Sequence, residues 1–509
     1  MLKKSESEFY SNFKVLRNRL KNYSKYDLFD SCMKNLTDIW GIDFADLPKL
    51  NMPIPTNLFL LMKWGICYGE YPQLSKKQLR IDNFKEFYAT ITDLPAFSHL
   101  LKIEDPFGLS KFIRAYAPHQ FYYQQNHGLY GICVLDTIIN QIGIKYDCDK
   151  LIKDRIGIPL GTFIDLQFFV FVVINSQEKY RAYSLDYFKH LYNYYSKDII
   201  EKFLDFMSND YNSIYNFFQK DHDVIGNPEY ETTLLTPLYK KPLFKNGNLY
   251  YPYHKCLLDA NIQYGVYEIM KAYDAPNFCS AFGTGFEEYI SSSISNYTKN
   301  YLREKDLRNI THKERACDFV VPEEKYSFFI EAKSAEMYYL TRQNPQKEHL
   351  KRTLENSLIS GYKQIFTLAY YLNSTNHTLT NGKIPVGFII TYKNLFLGHP
   401  DEIWEDFMYQ IMKDSLHEDI FNNLLVAPSN IYVMSVLEFD YMLLYASRFN
   451  KSLSECINLI ETNNKIPNTR KIFTYDNFTE KIDVLAVPQL SNSVKGIKDR
   501  ISLALANKL

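Results

Sequence analysis

Two short runs concentrate the residues that could do chemistry: Cys317-Asp318-Phe319-Val320-Val321 and Phe328-Phe329-Ile330-Glu331-Ala332-Lys333. Each sets charged side chains among apolar ones of strand-forming type. Burying such charges is costly unless they pair or meet a cation. Strand alternation puts Glu331 and Lys333 on one face and Ala332 on the other. A turn at Pro322-Glu323-Glu324-Lys325 sets Val321 opposite Tyr326 and Asp318 opposite Phe329. Asp318 then shares the face of Glu331 and Lys333 and lies diagonal to Glu331, about 7–8 Å away by backbone. A turn one residue longer would reverse that parity and separate the carboxylates. Two carboxylates without Cys or His suit Mg²⁺ or Mn²⁺ better than zinc. A hard cation there can polarise a phosphodiester and activate water, with the Lys333 ammonium orienting the water or offsetting phosphate charge. The plainer use of the same residues is an ion pair between Lys333 and Glu331 or Asp318.

The elements that must position these residues are legible in outline. Residues 1–245 predict a mainly helical region, with Phe9, Phe13, Leu16 and Leu20 at helical spacing and a buried helix over 57–64. The apolar stretch 165–174 predicts that region's one clear strand. Beyond Asn246-Gly247-Asn248 the texture changes. Helices are predicted over 257–273 and 284–300, strands over 316–321 and 326–335, and a long helix over 347–372. Strands over 384–392 and 431–436 follow, with helices over 401–415, 437–449 and 494–508. That order predicts an α/β domain with a mixed central sheet flanked by helices, spanning 246–450. It is preceded by the helical region and followed by an extension over 451–509.

Asp318, twelve intervening residues, then Glu331-Ala332-Lys333 resembles the signature of the PD-(D/E)XK, or restriction-endonuclease-like, nuclease superfamily, with Cys317 where the signature has Pro. Gly283-Thr284-Gly285-Phe286-Glu287-Glu288-Tyr289 resembles that superfamily's first-helix element, and Gly361-Tyr362-Lys363-Gln364 resembles the polar position on the helix after the hairpin. The likeness covers about 280–440, under a third of the chain. It implies Asp318, Glu331 and Lys333 as catalytic residues and Glu287, Asp318 and Glu331 as ligands of Mg²⁺ (or Mn²⁺). Glu288 stands as the substitute for Glu287, and Gln364 as a supporting polar group. The substrate it implies is DNA ahead of RNA. The region 1–245 would sense a trigger, self-associate or bind a partner protein, as in effectors of bacterial restriction and antiphage defence. The competing readings are an RNA-cleaving, toxin-like nuclease and a non-catalytic module that binds nucleic acid or a partner.

Composition sets the outer bounds. The chain has 509 residues, 58 Lys+Arg against 58 Asp+Glu, and 46% hydrophobic residues, which fits a multidomain globular protein and argues against a non-specific nucleic-acid coat. Eight scattered Cys with no CxxC pair fit a reducing compartment. The start lacks a signal-peptide core, and no apolar run approaches the roughly 20 residues of a membrane span, so a cytoplasmic protein with no membrane partner is expected. Residues 299–315 and 342–363 are each net positive and could track a phosphate backbone or form a solvated helix face. Asp221-His222-Asp223 reads as a polar turn, His119 as a core or interface histidine, and Tyr338-Tyr339 as packing residues. No phosphate-binding loop or nucleophile elbow occurs.

Overall fold

The computed structural model describes residues 2–95, 110–117, 127–311, 316–337, 341, 347–466, 469–478 and 480–506. The N-terminal residues form helices, as their spacing predicts. Phe9, Phe13, Leu16 and Leu20 line the buried face of Leu2–Leu20, and Pro55–Tyr68 is buried almost throughout. Ser24 caps Lys25–Asp38 by accepting from the Asp27 N–H, which satisfies one of the free donors of the first turn.

One element of this region differs from its expectation. Residues 165–174 belong to the helix Leu160–Asn175, not to a strand. An apolar run buried over most of its length has no period that separates helix from strand. Its two polar residues have distant partners: Asp165 meets Arg500 and Tyr195, and Gln167 donates to Asn261. Among the described residues no single helix is long and apolar enough to cross a membrane. The bent pair Cys148–Ile156 and Leu160–Asn175 would do so by length and composition alone, but Leu160–Asn175 lies in the protein's main core.

Two small mixed sheets punctuate the helices. The first has the order β1 (Tyr183–Ser184), β4 (Leu249–Pro252), β3 (Leu243–Asn246), β2 (Ser208–Asn209). Strands β3 and β4 form a hairpin in which Asn246 pairs with Leu249, and Gly247 takes the positive φ that the two-residue loop requires. The boundary expected at 245 falls inside this hairpin, whose other pairing partners lie earlier in the chain.

The second sheet runs in the order β5 (Leu302–Arg303), β6 (Phe319–Pro322), β7 (Tyr326–Lys333), β8 (Ile384–Thr391), β9 (Ile431–Ser435). Its first two pairings are antiparallel and its last two parallel. Both faces are covered, so the strands are apolar on both sides. Phe319, Val321, Phe328 and Ile330 join the core formed with Phe282, Phe286 and the helix Val436–Arg448. Val320, Phe329 and Ile389 join the core formed with Tyr362, Ile365 and Phe366 of the helix Ser360–Ser374. The result is a mixed sheet between helical layers, preceded by a mainly helical region.

The helix expected to begin at 284 is instead the continuation of a longer element, Lys255–Tyr297. That element is broken at Asp274, whose φ of −154° and ψ of 69° are not helical, and Pro276 sits in the first turn of the second segment, where its missing N–H costs nothing. Gly283 and Gly285 are therefore inside a helix. Gly285 serves packing: a Cβ there would lie 2.4 Å from Ile144 Cγ2 and 2.9 Å from Ile138 Cγ2. Gly131, on the crossing helix Gly128–Asp136, approaches the first segment as closely, with Cα and O of Gln263 each 2.9 Å from a Cβ built on it. Gly131→Ala should cost about 1–3 kcal/mol, overpacking outweighing the helix propensity gained. Gly161→Ala, where nothing lies within 4 Å, should gain a few tenths to about 1 kcal/mol. Denaturant unfolding of both variants beside the parent protein measures the contrast.

Candidate functional site

The hairpin places Asp318, Glu331 and Lys333 on one face, by a different register from the expected one. Phe319 pairs with Ile330, Val321 with Phe328 and Pro322 with Ser327, so Asp318 stands in line with Glu331, not opposite Phe329. The Glu323 N–H donates to the Tyr326 carbonyl at 2.8 Å. The turn is thus the pair Glu324-Lys325, two residues shorter than expected. A shift of two leaves the parity intact. Glu323 itself is held from outside the hairpin, accepting from the backbone N–H of Leu453 and Ser454.

The two carboxylates are buried: Asp318 is 8% exposed and Glu331 0%. Asp318 Oδ2 accepts from the Ala332 N–H at 2.7 Å, and its carbonyl accepts from the Glu304 N–H at 2.8 Å. Among the described residues Glu331 Oε2 lies 2.5 Å from Lys333 Nζ; neither carboxylate oxygen makes a well-aligned hydrogen bond, though the Asp318 N–H and the Cys317 thiol lie close to the carboxyl. Burial pushes the Glu331 carboxyl well above its ordinary range, and the Asp318 charge pushes it further, against the pull of Lys333. Burial also raises Asp318, with Lys333 and the Ala332 N–H opposing. Burial alone would lower Lys333, but Glu331 and Asp318 hold it above the usual lysine value. The ion pair that the sequence offers as the plainer use of these residues is therefore present.

Gln364 joins the cluster. Its Oε1 accepts from Lys333 Nζ at 3.2 Å and from Ser360 Oγ at 2.9 Å, and its Nε2 donates to the Ala316 carbonyl at 3.1 Å. Two glycines let its helix sit close on the sheet. A Cβ on Gly361 would lie 3.0 Å from Ile389 Cδ1, and one on Gly387 would lie 3.1 Å from Ile365 Cδ1. The π-helical turn Glu355–Ile359 precedes this helix, a local widening of the kind common beside functional sites.

Glu287 and Glu288 come from the second segment of the long helix and part company. Glu288 pairs with Arg303. Glu287 is half-buried, and burial, then the charges of Asp318, Glu304 and Glu288, raise its carboxyl to about 7 against the opposing Arg303. So Glu287 lies within the electrostatic reach of Asp318, and Glu288 is committed elsewhere.

The donor set suits a hard divalent cation: carboxylate oxygens in a buried site that raises its own carboxyl groups. Among the described residues no three His, Cys, Asp or Glu side chains are gathered as a ready metal cage. The fit is therefore to an ion held by Asp318 and Glu331, with Glu287 nearby as an outer carboxylate, and completed by water and substrate oxygens, the usual habit of Mg²⁺.

Sequence reasoning missed the ionic chain that fixes the ends of β7 and β8. Lys393, just past β8, pairs with Glu268 and lies 3.1 Å from Glu336, which in turn lies 2.5 Å from Lys271. Its partners lie 65 and 125 residues apart, so no local pattern announces it. The basic runs contribute less than their net charge suggests. Arg303 is engaged by Glu288, Arg308 by Glu304 and Lys363 by Glu355, while Lys305, Lys351 and Arg352 are exposed. Lys313, Arg315 and Arg342 lie outside the described residues, as do His119, Tyr338 and Tyr339. Asp221-His222-Asp223 is not a turn but part of the helix Ile214–Ile225. Asp221 pairs with Lys63, and His222 bridges Tyr68 and Glu231.

Comparison of this chain with protein-family models, with curated proteins and with solved structures gave no match.

The raised Glu287 carboxyl has a consequence for stability. Folding favours its protonated form. That contribution is complete below the ordinary carboxyl range and is lost as pH rises through about 7. Glu287→Gln should therefore unfold at a higher temperature than the parent at pH 8, by about 1 kcal/mol after solvent screening, and at nearly the same temperature at pH 4. Thermal melts across that range in EDTA measure the difference.

Proposed function

We propose that this protein is a divalent-metal-dependent nuclease that hydrolyses phosphodiester bonds, with DNA preferred to RNA. The observation that carries the reading is the buried pair Asp318 and Glu331 on one sheet face, with Lys333 between that pair and Gln364. A fold gains little stability from two like charges in one dry site, and such sites are enriched in function. Asp318 and Glu331, with Glu287 beside Asp318, would hold Mg²⁺ or Mn²⁺. When bound, the ion would supply Lewis-acid polarisation of the phosphodiester and a more acidic water.

The chain's own residues divide the remaining work. Lys333 holds a positive charge beside the carboxylates and can orient the attacking water or offset charge on the scissile phosphate. Gln364 fixes the Lys333 ammonium by accepting from it, and Ser360 fixes Gln364. The exposed cations Lys305, Lys351 and Arg352 are candidates for contacts to the nucleic-acid backbone. The PD-(D/E)XK resemblance supports the same assignment. The helical residues 1–245 would then carry the sensor, self-association or partner-binding role of a restriction or antiphage effector, and the cytoplasm is the compartment that role requires.

Single- and double-stranded DNA and RNA incubated with Mg²⁺, Mn²⁺ or EDTA test the reading. Cleavage should require the metal and prefer DNA. Glu331→Ala and Lys333→Ala should each lose about 10²–10⁴-fold in rate, and Gln364→Ala about 10-fold. Mg²⁺ at about 100 times its dissociation constant should stabilise the parent by about 2.7 kcal/mol and leave Glu331→Gln unmoved. Metal-independent cutting, or cutting that survives Glu331→Ala, would sink the assignment.

A further inference from the structure

A second buried carboxylate lies behind the long helix, away from the hairpin. Asp440, on the helix Val436–Arg448, is 1% exposed. No cation meets it among its partners. Its Oδ2 accepts from Tyr289 at 2.6 Å and from Tyr130 at 2.7 Å. Its Oδ1 accepts from Ser293 at 2.8 Å and from Gln489 at 3.2 Å. The four donors come from three separate stretches of chain: the helix Gly128–Asp136, the long helix, and the short turn Pro488–Leu490. Burial raises this carboxyl to about 6, with all four donors opposing, so it is mainly ionised and a strong acceptor at neutral pH.

Helical geometry makes the contact consequential. At about 100° per residue, Tyr289 and Ser293 lie about 200° and 240° around the axis from Glu287. Asp440 therefore grips the long helix on the side away from Glu287. A grip at two positions one turn apart fixes the roll of the segment, and roll decides whether the Glu287 carboxyl is turned towards Asp318. The same carboxylate ties that segment to Tyr130 of the N-terminal helical region. Gly131, next to Tyr130, packs at backbone distance against Gln263 of the other segment, before the break.

We propose that Asp440 is a positioning residue for the metal site: it sets the rotational register of the long helix, and hence Glu287, through Tyr289 and Ser293, and couples that register to the N-terminal region through Tyr130. The inference rests on the nuclease reading. It predicts that damage at Asp440 reaches the site through Glu287, with Asp318, Glu331 and Lys333 left in place. Asp440→Asn keeps the volume but turns one acceptor oxygen into an N–H donor facing hydroxyl or amide donors. Tyr289→Phe removes one donor and keeps the ring, which provides a milder variant if Asp440→Asn does not fold.

The experiment measures Mn²⁺ dependence of DNA cleavage, with Mn²⁺ binding measured by calorimetry, for the parent, Asp440→Asn, Tyr289→Phe, Tyr130→Phe, Glu287→Gln and the double variant Asp440→Asn/Glu287→Gln. Asp440→Asn should raise the half-saturating Mn²⁺ about 10-fold or more, the usual cost of losing an outer partner of a metal ligand. The rate at saturating metal should change little. Tyr289→Phe and Tyr130→Phe should shift the metal requirement in the same direction by less. The double variant should be no worse than Glu287→Gln alone, because both changes act through one carboxylate. Folded variants with the parent's metal dependence, or multiplying effects of Asp440→Asn and Glu287→Gln, would overturn the inference. A parent protein that neither binds Mn²⁺ nor cuts would overturn the nuclease reading itself, and this one with it. A parent that cuts with metal beside an insensitive Asp440→Asn would overturn this one alone.

Discussion

Everything around the β6–β7 hairpin answers one electrostatic problem: two carboxylates stand side by side on a buried sheet face. Asp318 and Glu331 push each other towards the neutral form, and burial pushes both the same way. Water cannot solvate them, so the protein must. It supplies the Ala332 N–H to Asp318 and the Lys333 ammonium to Glu331. A sequence selected for stability alone would place apolar residues here, since a buried ion pair is often no better than a well-packed hydrophobic one. The charge is kept at a cost, and the rest of the domain holds it in place. Gly361 and Gly387 admit the helix that brings Gln364 to Lys333. The alternating chain of Lys271, Glu336, Lys393 and Glu268 ties the ends of β7 and β8 to the first segment of the long helix.

The long helix is the common member of these arrangements. Its first segment carries Glu268 and Lys271, its second carries Glu287, Tyr289 and Ser293, and the break at Asp274 allows the two to aim differently. Asp274 holds its own break, accepting from Asn277 and Tyr146. The glycines on and against this helix shorten the distance to neighbouring elements. The main core consequently takes residues from the helical N-terminal part, the sheet and the C-terminal helices alike.

The legible part of this architecture was what obeys a local period. Strand parity put Asp318, Glu331 and Lys333 on one face. It survived an error of two residues in the turn because the side-chain period is two. Helical spacing placed Phe9, Phe13, Leu16 and Leu20 correctly, and a helix after the hairpin carried Gln364 to Lys333. What failed had no period or had a distant partner. The run 165–174 is apolar on every side, so nothing local says helix, and its polar members are satisfied by Asn261 and Arg500, far along the chain. Gly283 and Gly285 looked like a helix start because glycine marks chain ends, yet Gly285 is needed where Ile138 and Ile144 press on the helix. Glu287 and Glu288 are adjacent and alike in sequence, yet Arg303 pairs with Glu288 alone, a difference that no local pattern announces. Asp440, with partners 49 to 310 residues away, carries no local mark at all.

Lys333 is where stability and the proposed chemistry meet. In the folded chain it is the internal counter-ion of Glu331, and it also donates to Gln364. Without it the orphaned carboxylate would be a buried, uncompensated charge, a loss of several kcal/mol in typical cases. On the nuclease reading Asp318 and Glu331 would share their charge with a divalent ion, and the Lys333 ammonium, held by Gln364, would be available to a water or a phosphate. One side chain then serves the fold before metal binds and the reaction afterwards. That dual duty explains why the lysine stands two residues from the glutamate on the same face: closer in sequence it would point to the other side of the sheet, and farther along it would leave Glu331 bare. The spacing of Glu331-Ala332-Lys333 thus follows from burying a carboxylate in a strand together with its own counter-ion.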